Sequence, residues 1–277
     1  GGVGALYAFL GAGKTACGDV AAALAGAEAA ILASAGRDRF ARLPTAHARC
    51  SLAGEDVAVG SEFTVMALSG VLDIIGDPAR EPLRLAGHQA AYSAGLAAFT
   101  GLLAARAAGG GAVRVSLLET MLWINWKSAV AGLEADGVPH RRGDAAEWQA
   151  IRCADGWLAL VYQPEDWPAL CRFVDDPRLD APHFATPALR LKHGKALAAI
   201  IEAALMCYTR AEIRAEAQAR RLPLGPVWSL AELLEDPHYQ ARGVFHPAVL
   251  PDGSTAPMAS LPLTWDGARL APGKVPA

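Results

Sequence analysis

Gly11-Ala12-Gly13-Lys14-Thr15 is the first spacing in the chain that suggests chemistry. Gly-Lys-Thr ends a phosphate-binding loop, in which converging backbone N–H groups, a lysine and a hydroxyl hold the phosphates of a nucleotide. The first glycine of that loop belongs at position 8, which is Ala8, and a hydrophobic strand belongs before it, where only a few residues stand. A plain loop leading to a helix near Asp19 is the competing reading. Lys14 is then either a point charge offered to an anion or a solvated loop lysine. Two acid–base groups stand out further on. His88 precedes the apolar helix pattern that begins at Gln89, and Glu62 is the acidic residue that opens another. Each can move a proton if geometry allows. The alternatives are a solvated or capping histidine, and a glutamate that stabilises a helix dipole. Tyr92 reads as a packed ring with its hydroxyl satisfied. The five cysteines are odd in number and form no C-x-x-C pair, which points to reduced thiols rather than disulfides or zinc.

The elements that position these groups follow from hydrophobic pattern and turn chemistry. Residues 19–34 read as a buried helix running into a short strand at "AAIL", and residues 62–76 as a second buried helix. "QAAYSAGLAAFTGLLAARAA", residues 89–108, is apolar nearly all round, as expected of a helix packed on several sides. Gly109–Gly111 stop it, "AVRVSLL" alternates like a strand, and a long helix follows to Gly137. On that helix Met121, Trp123 and Trp126 read as core or dimer contacts. This rhythm is that of a doubly wound α/β layer. The polar stretch "GVPHRRGDAAEWQ", with Arg141 and Arg142, marks a domain boundary. Beyond it come a hairpin turning at Asp155-Gly156, helices opened by Pro164 and by Thr186-Pro187, capping boxes at Thr209–Glu212 and Ser229–Glu232, and a hairpin at "LPDGST". The expected domains are a large one over 1–138, a small one over 139–228, and a C-terminal segment, 229–277, returning to the large domain.

Composition limits the function classes. The 277 residues are 53% hydrophobic and 19% charged, which suits a compact globular protein rather than a disordered one. A formal net charge of −3 without a basic run gives no nucleic-acid footprint. No apolar run reaches the length of a membrane span, and the start of the chain has no signal-peptide pattern, so a cytoplasmic protein is expected.

The order of motifs resembles the family III CoA-transferases, which include formyl-CoA and carnitine CoA-transferases and the related 2-methylacyl-CoA racemases. The matching segments are "ALSGVLDIIGDP", "AGLAAFTGLLAARAAGGGAVRVSLLETML", "RCADGWLAL", "FATPALRLKHGKAL", "LPLGPVWSLAELLEDPHYQARGVF" and "LPDGSTAP", in that order from Glu62 onward. The resemblance implies a Rossmann-like large domain, a smaller α+β domain, and an interlocked dimer, either a homodimer or a heterodimer with a related chain. It implies acyl-CoA and a carboxylic acid acceptor as substrates, with no tightly bound cofactor and no metal. It also implies that Lys14 lies near the CoA nucleotide and that Arg37, Arg39 and Arg42 supply charge to the same ligand. Family members use an aspartate that attacks the thioester, forming a mixed anhydride and freeing CoA thiolate, so that one carboxylate serves as nucleophile and then as leaving group. That aspartate falls four residues before Gly95, where this chain has Ala91. The racemase histidine and its acidic neighbour match Ser61 and Glu62. His88 and Glu62 are the remaining catalytic candidates. A catalytically silent acyl-CoA-binding or scaffold subunit of a heteromeric transferase is the alternative.

Overall fold

A computed structural model describes residues 9–33, 43–51, 61–126, 130, 148–250 and 252–270. The chain divides into two compact units, one of residues 19–147 with 188–195, the other of residues 1–18, 148–187 and 196–277.

The first unit is built on three parallel strands, β1 (Ala29–Ala33), β2 (Ala46–Ser51) and β3 (Gly111–Ser116), in the order β1-β2-β3. A 19-residue helix, α3 (Gln89–Ala107), connects β2 to β3 and packs on both. Its buried residues, Ala90, Ala94, Ala98, Leu102 and Ala105, recur at helical spacing and form one stripe. Ala98, Leu102 and Ala105 meet Ala46 and Ala48 of β2. The helix closes as the glycine run predicts. Gly109, Gly110 and Gly111 all have positive φ, the Gly110 N–H reaches the Ala105 carbonyl, and the Gly111 N–H reaches Thr45. Gly101 serves a different purpose: a Cβ there would stand 2.8 Å from a Val113 methyl, so the bare backbone lets helix and strand approach.

Two expectations change here, and one element is new. Helix α1 (Val20–Gly26), capped by Asp19, has no buried residue. The expected helix over 62–76 is broken. Helix α2 (Glu62–Leu68) ends at Ser69, Gly70 takes φ +75°, and a 3-10 turn follows over Val71–Ile74. Ser69 and Gly70 stop it because a serine hydroxyl can bond the preceding turn, here the Met66 carbonyl at 3.0 Å, and glycine adopts the left-handed conformation without strain. The central strand β2, "AHARCS", has no strong strand signature because small and polar residues alternate in it. Helix α4 (Leu117–Ile124) follows β3 directly, capped by Ser116. Its Met121 joins Val65, Met66, Val71, Leu72 and Ala90 in a second core.

The second unit holds the hairpin of β4 (Gln149–Cys153) and β5 (Gly156–Leu160), joined by Ala154-Asp155. Packed with it are helices α5 (Trp167–Val174), α7 (Gly194–Leu205) and α8 (Arg210–Arg220); the short α6 (Pro187–Lys192) precedes α7. Leu158, Leu160, Tyr162, Leu170, Phe184 and Ile201 form the centre of its core. Both capping boxes are present, opening α8 and α9 (Leu230–Glu235). A C-terminal hairpin pairs β6 (Phe245–Val249) with β7 (Thr255–Ala259), as "LPDGST" predicts. Among the described residues no helix is long and apolar enough to cross a membrane.

Candidate functional site

Helix α3 starts after Gly87, whose φ of +75° turns the chain into His88. His88 occupies the N-cap without making a side-chain cap bond, so the first N–H groups of the helix need another acceptor. Glu62 supplies it from the first turn of α2. One carboxylate oxygen, Oε1, accepts the Ala90 N–H at 2.7 Å and the Ala91 N–H at 3.3 Å. The other, Oε2, lies 3.1 Å from His88 Nδ1. Ser61 caps α2 itself, accepting the Thr64 N–H at 3.2 Å, which leaves Glu62 to reach across. Its charge therefore compensates the dipole of the neighbouring helix as well as of its own. The Glu62 side chain is 14% exposed and that of His88 49%.

The structure thus unites two groups that the sequence presents separately, 26 residues apart. Ala91 stands on the same turn, its methyl exposed and its N–H on Glu62. Tyr92 is not the packed ring expected. It is partly exposed and meets His88 edge-on, with centroids 6.3 Å apart.

Lys14 lies elsewhere, in the other compact unit. Its Nζ donates to the Leu10 carbonyl at 2.6 Å, and its N–H donates to Gly11. Residues 9–11 are helical and the next helix opens only at Val20, so among the described residues the helix of a phosphate-binding loop does not start at Lys14. The nucleoside-triphosphate reading falls on this. Arg37, Arg39, Arg42, Arg141 and Arg142 lie outside the described residues. Burial pushes the thiols of Cys50 and Cys153 up from their ordinary value. Among the described residues no group of three His, Cys, Asp or Glu side chains is arranged to hold a metal.

A second polar cluster carries no local signal beyond its capping boxes. Arg210 forms a bidentate pair with Glu232, at 2.6 and 3.1 Å, donates to the Val227 carbonyl, and lies 5.0 Å from the Trp228 ring centroid. Asp155 accepts the Arg210 N–H at 2.7 Å. A Cβ on Gly156 would stand 2.8 Å from Arg210 Nε, so the bare glycine lets the guanidinium lie close against the hairpin. Arg214 pairs with the buried Asp236, and both border a cleft of about 350 Å³ that Trp228 and Gln218 also line. Hydrogen bonds from Arg210 and Ser229 hold the Glu232 carboxyl at about 2. Each of these cations already has its carboxylate. The cluster therefore works as a clasp between the β4–β5 hairpin, α8 and α9.

With this geometry in place, comparison with known proteins defines the class. Residues 53–277 match CoA-transferase family III, and the chain belongs to that family. It is 24% identical over 215 residues to a succinate–glutarate CoA-transferase from Agrobacterium fabrum, across 74% of this chain and 54% of that protein. It is 31% identical over 108 residues to a formyl-CoA:oxalate CoA-transferase from Rhodopseudomonas palustris, across 39% of this chain and 25% of the relative. The chain thus spans about half the length of the first relative and a quarter of the second. The fold agrees. A CAIB/BAIF family protein from Brucella suis superposes with a TM-score of 0.68 at 21% identity, covering 84% of this chain and 65% of that one. A mutant of the Mycobacterium tuberculosis protein Rv3272 gives 0.69 at 19% identity, covering 89% and 73%. The α/β architecture is that of the family.

Proposed function

We propose that the chain binds acyl-CoA and takes part in moving CoA between an acyl-CoA and a carboxylic acid, with the thioester placed at the start of α3. The family match over residues 53–277 carries this reading. In it, Lys14, Arg37, Arg39 and Arg42 offer charge to the phosphates of CoA, and the protein acts in the cytoplasm on dissolved thioesters without a tightly bound cofactor. It works as a dimer, either with its own copy or with a related chain.

Position 91 decides how the transfer proceeds. A carboxylate there would capture the acyl group as an anhydride, whereas the Ala91 methyl neither attacks nor titrates. Glu62 does not simply replace it, because one of its oxygens is committed to two helix N–H groups. The same observation favours a second reading, in which this chain is the acyl-CoA-binding partner of an aspartate-bearing one.

Calorimetric titration with CoA and with a short acyl-CoA tests the shared part of both readings, with saturable binding near one site per chain expected. Absence of binding to either would overturn them. Ala91→Asp then separates the two. Exchange of labelled CoA into a free carboxylic acid by the variant alone supports an otherwise intact transferase site, and no exchange despite binding favours the partner-chain reading.

A further inference from the structure

The pairing of His88 with Glu62 beside Ala91 supports an inference that rests on the acyl-CoA reading above. We infer that His88 acts as a general base toward water, making this site a hydrolase of acyl-CoA thioesters.

The pair has the parts such a base needs. Glu62 Oε2 lies 3.1 Å from His88 Nδ1, so the proton on that nitrogen is donated to the carboxylate and Nε2 is left as the acceptor. A carboxylate in this position fixes the tautomer and ring orientation and stabilises the imidazolium that forms when the base takes a proton. Glu62 is itself restrained, because Oε1 is tied to the Ala90 and Ala91 N–H groups at 2.7 and 3.3 Å. Among the described residues Nε2 makes no hydrogen bond, and the half-exposed ring is open to water. Tyr92 stands edge-on to the imidazole and limits its swing.

Ala91 sets the direction of the chemistry. An aspartate on this turn would reach an acyl carbon before water, and its charge would oppose Glu62. The alanine removes that competitor and leaves the base and its orienting carboxylate in place. The step balances without a further reagent. A water oxygen attacks the thioester carbonyl carbon while His88 Nε2 takes the water proton. The tetrahedral intermediate then collapses, the C–S bond breaks, and His88 returns the proton to the leaving thiolate. The products are a carboxylic acid and free CoA thiol.

The test follows thiol release from acetyl-CoA and succinyl-CoA by the purified chain, beside calorimetric binding of the same compounds. His88→Ala is expected to lower kcat about 100-fold, the lower part of the range for a general base, with KM changed less than about threefold. Added imidazole should restore part of the lost rate in His88→Ala, an effect that a purely structural histidine would not show. Glu62→Gln, which keeps an oxygen for the helix N–H groups, should lower kcat in the same sense because the ring loses its orienting charge. Binding of acyl-CoA without His88-dependent thiol release would overturn this inference and leave the acyl-CoA reading standing. Failure of both compounds to bind would overturn that reading and this inference with it.

Discussion

At the scale of single residues, the start of α3 depends on one carboxylate with three partners. Glu62 satisfies two helix N–H groups that nothing else among the described residues accepts, and it meets His88 with its other oxygen. Loss of a side-chain cap costs about 0.5–2 kcal/mol, and Glu62 is mostly shielded from water. Glu62→Ala should therefore lower unfolding stability by about 1–2 kcal/mol in urea titration, with Glu62→Gln intermediate. His88→Ala, at a half-exposed site, should change it by less than about 0.5 kcal/mol. Equal losses from the two alanine variants would show that the pair, rather than the cap, holds the turn. The Arg210 clasp makes a prediction in pH. Its hydrogen bonds with Arg210 and Ser229 lower the Glu232 carboxyl from 4.5 to about 2. Asp155 moves in the same direction; partial burial works against the shift, but the Arg210 N–H and guanidinium outweigh it. A carboxyl depressed in the folded state stabilises the protein above its unfolded value and loses that contribution as pH falls through its folded value. Stability should thus decline between about pH 4.5 and pH 2, and Glu232→Gln should flatten that part of a thermal-unfolding profile.

At the scale of elements, Gly101 marks the tightest approach of α3 to the sheet. Alanine favours a helix over glycine by about 1 kcal/mol, yet its Cβ would meet the stiff, β-branched Val113 at 2.8 Å. Overpacking costs about 1–3 kcal/mol, so Gly101→Ala should destabilise the chain by about 1 kcal/mol. Gly101→Ala combined with Val113→Ala should recover most of that loss, and chemical denaturation of both measures it. The elements legible in the sequence are those whose signals are local. The apolar run of α3, its glycine stop, the hairpin after Cys153 and the two capping boxes each carry their chemistry within a few residues. The elements that the sequence leaves unread or misleads on depend on distant neighbours. Strand β2 is a strand because β1 and β3 flank it, not because "AHARCS" prefers to be one. The run over 62–76 looks continuous until Gly70 takes its left-handed turn. The candidate site divides in the same way. His88 and Glu62 are visible one by one as titratable groups at helix starts, but their contact joins two elements 26 residues apart and no periodicity encodes it. Arg210 is hidden for the same reason, since its partners lie 55, 17 and 22 residues away.

At the scale of the whole molecule, α3 presents an unbalanced surface. A helix apolar nearly all round is expected to be covered on several sides, but in this chain only the alanine-rich stripe is buried. Leu96 is 69% exposed, Phe99 52% and Leu103 48%, and on α4 Trp123 is 74% exposed. Scattered apolar side chains need no explanation, whereas several on one helix mark an interaction surface. This supports the proposed dimer, in which a second copy or a related chain covers the outer face of α3. Burial of a large apolar side chain contributes about 1.5–3 kcal/mol. Leu96→Glu with Phe99→Glu should therefore weaken association at least about 100-fold, while the buried stripe of α3 keeps each chain folded. Sedimentation over a range of concentrations reads this directly, with a dimer expected for the natural chain and a monomer for the double variant. A natural chain that sediments as a monomer throughout would rule out self-association and leave the related chain as the partner. The Ala91→Asp exchange experiment then gains weight, because a chain that pairs only with an aspartate-bearing relative has no need of its own nucleophile.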